Sequence, residues 1–527
     1  MNSKSSLCTS NLTSGFIDLA TYDELEKYMY GGADATAYFV RETRKSTWFT
    51  QVPVVLSRAS GSPEFGQEWS VTISRAGDYL LNTWLRLTLP EVTNTSACAT
   101  DGSHSVIAWS PNLMHNLVKE CCITFNDLVA ARFDSYHLDF WSAFTTPEGK
   151  RQGYANMIGN TPELAGQPAG PNETLPATVL NLPLPFFYSR DSGVALPTAA
   201  LPYNDMRINF SFRGWNELLQ GYHLKLEDNV QKCFKQTCTQ IQIGTGVVST
   251  DGTVTETAYI HTEPRLSGTG TGVQVWANYA IVSNDERKRM ACAPRDILIE
   301  QVQTAPVTSY DVGQVRTQDI RFSHAIKVLF FSARNKSCNA VWSNYRSLSN
   351  IVSSCQVSCK NLDGYEKGCG YTHMLIPPTK LRTGVDAVDP IDVTSLTYEN
   401  TLRLGNMGSD YFMFVQPWYH APRIPVVTGY HMYSYSLDFI CLDPLGSTNY
   451  GKLTNVSITP EASDQAKAAA NPVADAAGNL EGLPHCVSCT PPYTGYYTNP
   501  QKFDFIVTAV NNNIIRISGG ALGFPVL

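Results

Sequence analysis

Apolar residues recur at every second position along most of this chain, the period of a strand with one face buried. Trp69, Val71 and Ile73 alternate with polar residues. After the turn Arg75-Ala76-Gly77-Asp78, Leu81, Leu85, Leu87 and Leu89 line one expected face while Trp84, Arg86 and Thr88 line the other. Met206, Ile208 and Phe210 repeat the pattern, as do Ile297, Ile299 and Gln301. Ile320, Phe322, Ile326, Val328 and Phe330 predict one long strand, with Arg321, Ser323 and Lys327 turned away. Tyr433, Tyr435, Leu437 and Phe439 share a parity, and so do Phe503, Phe505, Val507 and Ala509. Asn511-Asn512-Asn513 is expected to interrupt that last run before the apolar stretch at 514–517. Prolines at 183, 185, 197 and 202 exclude a helix across 182–210 and suit strand ends or edges. The pattern predicts an all-β protein of antiparallel strands joined by Pro/Gly turns.

A few stretches break the alternation. Thr21-Tyr22-Asp23-Glu24 reads as a capping box opening a helix that stops at Gly31-Gly32, with Tyr22, Leu25 and Met29 on one face. Lying outside any strand pattern, this helix is expected to dock on a neighbour or to pack on its own domain. Residues 134–143 and 149–158 predict short helices. At 527 residues the chain is too long for one core. All-β units of roughly 200–250 residues favour two. The net charge of −7, with no Lys/Arg track, argues against direct nucleic-acid binding. The densest basic run, Arg287-Lys288-Arg289, predicts a solvated helix face. The N-terminal stretch lacks the apolar core of a signal peptide, and no apolar run approaches the ~18 residues of a membrane span.

Each candidate for chemistry meets an obstacle. Gly446-Ser447-Thr448-Asn449-Tyr450-Gly451-Lys452 has the spacing of a phosphate-binding loop. Residue 453 is Leu where a Mg2+-binding hydroxyl belongs, and residues 453–460 alternate like a strand instead of opening a helix. Cys355, Cys359 and Cys369 near His373, with His485, Cys486 and Cys489 farther on, could supply zinc ligands, but only Cys486 and Cys489 have knuckle spacing. These cysteines are expected in surface loops, as thiols or a disulfide. Asp191-Ser192 lacks a nucleophile elbow, and Gly268, Gly270 and Gly272 lack the spacing of a dinucleotide loop. No two of the ten His are separated by one residue, which removes a metal cupin. The reading therefore nominates no catalytic, cofactor-binding or metal-binding residue and no cofactor.

Several phrases in order along the chain resemble the major capsid proteins of iridoviruses and other large icosahedral DNA viruses. They are GFIDLATYDELEKYMYGGADATAYFV near the start, the Arg75-Ala76-Gly77-Asp78 turn, LPLPFFYSRDSGVALPTAALPYNDMRINF from 182, and YSYSL followed by Pro444-Leu445-Gly446-Ser447-Thr448-Asn449-Tyr450-Gly451-Lys452-Leu453-Thr454-Asn455. Leu445 departs from the small Ser usual there. The resemblance implies a double jelly roll, two eight-stranded antiparallel rolls side by side. The expected partition is an arm at 1–47, a first roll at 48–215, a connection at 216–270 and a second roll at 271–527. Insertions near 337–392 and 460–500 are expected on the outer surface. The resemblance also implies a homotrimer of pseudo-hexagonal outline contacting neighbouring capsomers and minor capsid proteins. The N-terminal arm would lie toward an internal viral membrane. Assembly in the host cytoplasm and residence in the virion's outer shell are implied by the same likeness. A jelly-roll carbohydrate-binding or host-attachment protein is the alternative.

Overall fold

The computed structural model describes residues 5–228, 233–266, 272–292, 294–349, 351–357, 370–376, 389–471, 493–496 and 500–523. The chain divides into two compact units, Met1–Trp48 and Phe49–Leu527.

The N-terminal unit contains helices Ser5–Ala20 and Glu24–Met29. The capping box lies two residues later than the sequence suggests. Glu24 N donates to Asp23 Oδ1 at 2.8 Å, and Asp23 N donates to Glu26 Oε2 at 3.2 Å. Thr21 instead closes the preceding helix, its hydroxyl donating to Asp18 O at 2.8 Å. That first helix is rich in Ser, Thr and Asn, which favour caps and turns, so its sequence does not announce it.

In the large unit, two antiparallel sheets enclose the first core. One runs Phe49–Val55, Gln274–Val282, Tyr79–Leu89, Thr178–Pro183; the other runs Ser57–Gly61, Glu68–Thr72, Met206–Phe212, Val118–Phe125, Leu128–Asp134. Leu85 and Leu87 from the first sheet meet Ile123, Ile208 and Phe210 from the second, and Trp69 stacks on Phe210 with centroids 4.7 Å apart. The expected start of a second roll at 271 does not match this pairing, because Gln274–Val282 lies between Phe49–Val55 and Tyr79–Leu89. The face expected from Leu81 is also corrected. Asn278 pairs with Asn82 and Tyr279 with Leu80, so Leu81 is the extra residue of a bulge, and Leu80 points inward.

The second core lies between another sheet pair. One sheet runs Arg295–Thr304, Phe503–Ser518, Ala325–Asn335, His431–Ser434, and the other Gln318–Asp319, Val456–Ala462, Ile391–Tyr398, Thr401–Gly408. Ala325–Asn335 is buried on both faces. Leu329 and Phe331 enter the second core, while Val328 and Phe330 meet Phe140 and Phe144 of helix Ser135–Thr145. The two halves thus share packed surface, each apolar side chain there losing water on both sides of one sheet.

Three sequence expectations fail here for local reasons. The long strand expected from Ile320 is broken at His324, whose φ is +64°, and starts again at Ala325. Asn511-Asn512-Asn513 does not interrupt Phe503–Ser518; Gln303 Nε2 donates to Asn511 Oδ1 at 2.9 Å and Asn513 Nδ2 to Gln301 Oε1 at 3.0 Å. The strand expected through Phe439 ends at Ser434, where Ser436 N donates to Ser434 Oγ and Ser434 Oγ to Ser436 O. Those turns swing Leu437 out to solvent.

A six-stranded sheet joins distant segments in the order Gly370–Ile376, Ile351–Val357, Tyr493–Tyr496, Cys233–Thr239, Leu219–Asp228, His104–Trp109. Part of the insertion expected as loop at 337–392 is therefore strand, with Cys355 opposite Thr372 and Ser354 opposite His373. Likewise residues 219–239, expected as a connection, supply two of its strands. Cys359, Cys369, His485, Cys486, Cys489, Gly268 and Gly270 lie outside the described residues.

Candidate assembly surfaces

The loop at 446–452 is a strand connection. Gly446 has φ +120°, and a Cβ there would sit 2.9 Å from Tyr435 O, so glycine is needed for the turn itself. Thr448–Asn449 pairs with Ala325–Asn335, the Asn449 side chain caps a single turn Tyr450–Lys452, and strand Val456–Ala462 comes next. Asp191 Oδ1 accepts from Ser192 N at 2.8 Å, capping a short turn. The basic run lies on helix Asn284–Cys292. There Arg287 forks onto the buried Asp78 carboxylate at 2.8 and 3.0 Å, so this arginine ties the helix to the first roll beyond its solvated role. Among the described residues, no group of three or more His, Cys, Asp or Glu is placed to hold a metal ion.

Two buried polar networks bridge the halves. Asp139 Oδ1 lies 2.8 Å from His115 Nδ1, and Asp139 Oδ2 accepts from Ser343 Oγ at 2.6 Å and Tyr345 OH at 2.9 Å. His115 Nε2 is 2.6 Å from Tyr154 OH, beside an open cavity of about 270 Å3. This Asp-His-Tyr order has the look of an activated nucleophile. Burial, and then the Asp139 charge, hold the Tyr154 phenol well above its ordinary range, so it stays protonated and serves as a donor.

The second network centres on Glu300. Lys327 Nζ donates to Glu300 Oε1 at 2.5 Å and to Cys441 O at 2.7 Å, while Arg190 Nη2 lies 2.5 Å from Glu300 Oε2 and stacks over the Trp141 ring. Lys327, expected to face away, is completely buried. Ile326 pairs with Asn511 and Val328 with Val510, so Lys327 is the unpaired residue of a bulge that turns it toward Glu300.

The exposed apolar residues are what chemistry leaves to explain. Val415, Trp418 and Tyr419 lie on the successive turns Tyr411–Val415 and Gln416–His420, with Trp418 70% and Tyr419 72% exposed. His420 Nδ1 donates to Leu437 O at 3.0 Å and brings Leu437, 72% exposed, beside them. Elsewhere the edge strand Phe49–Val55 is exposed along almost its whole length and presents Phe49, Val52 and Val55. At another sheet edge Thr401–Gly408 presents Leu402. Open edges and clustered aromatics are features that soluble monomers normally cover. The N-terminal unit exposes Leu12, Phe16, Leu25, Met29 and Phe39, and no residue of Glu24–Met29 is buried. Sequence reasoning missed the Trp418 face, whose aromatic-rich helix carries no strand period.

The family described as large eukaryotic DNA virus major capsid protein matches residues 286–523, and the one described as major capsid protein N-terminus matches 37–281. The chain is 55% identical to the major capsid protein of Costelytra zealandica iridescent virus over 527 residues, 99% of this chain and 100% of that one. It is 45% identical to that of Lymphocystis disease virus 1 over 524 residues, again 99% and 100%. Among solved structures, the quasi-atomic model of the PBCV-1 virus capsid superposes with TM-score 0.62 at 17% identity, covering 93% of this chain and 100% of that chain. The Faustovirus major capsid protein gives TM-score 0.62 at 11% identity, with 94% of each chain covered.

Proposed function

The chain belongs to the iridovirus major capsid proteins, and from that premise we propose that three copies form a pseudo-hexagonal capsomer that tiles an icosahedral shell. The protein is a virion component with a double jelly-roll fold. The carbohydrate-binding alternative finds no support in these relatives. Two similar rolls per subunit give six lobes around a three-fold axis. In this reading the rolls divide at helix Asn284–Cys292, a division supported by the pairing of Gln274–Val282 within the first and by the break between the two family matches. The protein acts by packing, with no catalytic role and no direct contact to nucleic acid. Minor capsid proteins and the internal membrane are its further neighbours, the latter through the arm at 1–47, and assembly takes place in the host cytoplasm.

The observation that carries the self-association reading is the exposed face of Val415, Trp418, Tyr419 and Leu437. Aromatic anchors of this kind dominate interface energetics when buried. Trp418→Asp places a charge where a neighbouring copy would exclude water. Sedimentation velocity on this variant should show a smaller species than the parent, with an unchanged circular dichroism spectrum. Parent-like sedimentation would remove this face from the assembly.

A further inference from the structure

We propose that Cys238 and Cys338 form a reversible thiol–disulfide lock that fastens the six-stranded composite sheet once the protein meets an oxidising environment. In the structure the pair is bonded, with Cα atoms 5.7 Å apart at a sequence separation of 100. Cys238 lies on strand Cys233–Thr239 of the first half. Cys338 lies in the segment leading from Ala325–Asn335 into Ile351–Val357. The bond therefore ties the base of a second-half insertion to a first-half hairpin.

The sheet needs such a tie. Among the described residues, its strands from the two halves pair at Phe234 with Gly495 and Lys235 with Tyr496. Cys338 belongs to a small apolar cluster with Val106, Ala108, Tyr222, Leu224 and Val341, separate from the main cores, and Cys238 packs against it. A satellite cluster of this size buries too little surface to hold a long insertion by itself. A cross-link closing a long loop restricts the open state most.

The bond is reachable through Cys238, which is half-buried, whereas Cys338 is only 3% exposed. Both cysteines line an open polar groove of about 760 Å3, with Lys336, Asn339 and Gln240 in its walls. That volume admits a low-molecular-weight disulfide such as oxidised glutathione. One protein thiolate attacks the donor disulfide, forming a mixed disulfide and releasing one donor thiol. The second protein thiolate then attacks the protein sulfur of the mixed disulfide and releases the other. Two protein thiols thereby lose two protons and two electrons, and one donor disulfide becomes two thiols. Cytosolic glutathione holds such a pair reduced and the extracellular medium oxidises it. The timing, open during assembly and closed in the released particle, rests on the shell reading above.

The test uses the purified full-length chain, equilibrated with reduced or oxidised glutathione, blocked with N-ethylmaleimide and mapped by mass spectrometry. The expected result is a Cys238–Cys338 cross-linked peptide under oxidised glutathione and two labelled thiols under reduced glutathione. Secondary structure should be the same in both. The unfolding temperature should be several degrees higher when oxidised, a gain absent in Cys338→Ser. Persistent labelling under oxidised glutathione, pairing with other cysteines, or a bond that resists reduced glutathione in the folded protein would overturn the lock. Should the variant fail to fold, the mapping on the parent chain decides alone. Because the mapping needs no assembly, a monomer that cycles this bond would sink the shell reading and leave the lock standing.

Discussion

Lys327 shows how much one residue depends on its neighbours. Its parity in sequence turns it outward, and only the bulge against Asn511 and Val510 directs it to Glu300. A buried pair of this kind contributes little net stability, since desolvation offsets its Coulombic gain, and the contact that crosses between the halves is that of Arg190 with Glu300. Buried histidines give a testable consequence at the same scale. Burial, and then the Arg190 charge, push His137 from 6.5 down to about 3. Burial also lowers His104 and His223, with the two repelling each other when charged. His137 therefore stays neutral in the fold down to about pH 3 and takes up its proton on unfolding. Its contribution is complete above about pH 6.5 and is lost progressively as pH falls toward 3, and the lowered His104 and His223 act in the same direction. Thermal unfolding followed by circular dichroism should show a falling midpoint across that window, and His137→Gln should flatten it. A midpoint independent of pH there would contradict the assignment.

Among the elements, strands with one solvated face were legible. Met206–Phe212 alternates buried and half-buried residues along its length, and the apolar residues at 206, 208 and 210 announce it. Strands buried on both faces were legible as strands but not in their contacts, because in Ala325–Asn335 even the polar Lys327, Ser332 and Arg334 are buried, so polarity does not mark the second neighbour. That neighbour is helix Ser135–Thr145, whose Phe140 and Phe144 stack on Phe330 at 5.8 and 5.4 Å. Phe140→Ala should cost about 3–5 kcal/mol, the usual range for emptying a packed aromatic site. Urea unfolding would measure it. A loss below about 1 kcal/mol would mean that the site collapses onto the gap or that the helix does not bear on the second half.

For the whole molecule, the family likeness was legible from phrases spread along the chain, and with it the all-β class. The composite sheet was not, because its strands come from near residues 104, 219, 351 and 493, and no local period links segments so far apart. The candidate surface was partly legible. The strand expected after the 446–452 loop matches Val456–Ala462, but the sequence gave no sign of the Trp418 face. The central claim is that this subunit exists to bury that kind of surface against copies of itself. Obligate interfaces bury roughly 2,000 Å2 or more and survive dilution. Multi-angle light scattering on the purified chain at micromolar concentration measures this directly. The account predicts a single species with three times the 58.1 kDa mass of one chain. A monodisperse species at the mass of one chain would contradict it.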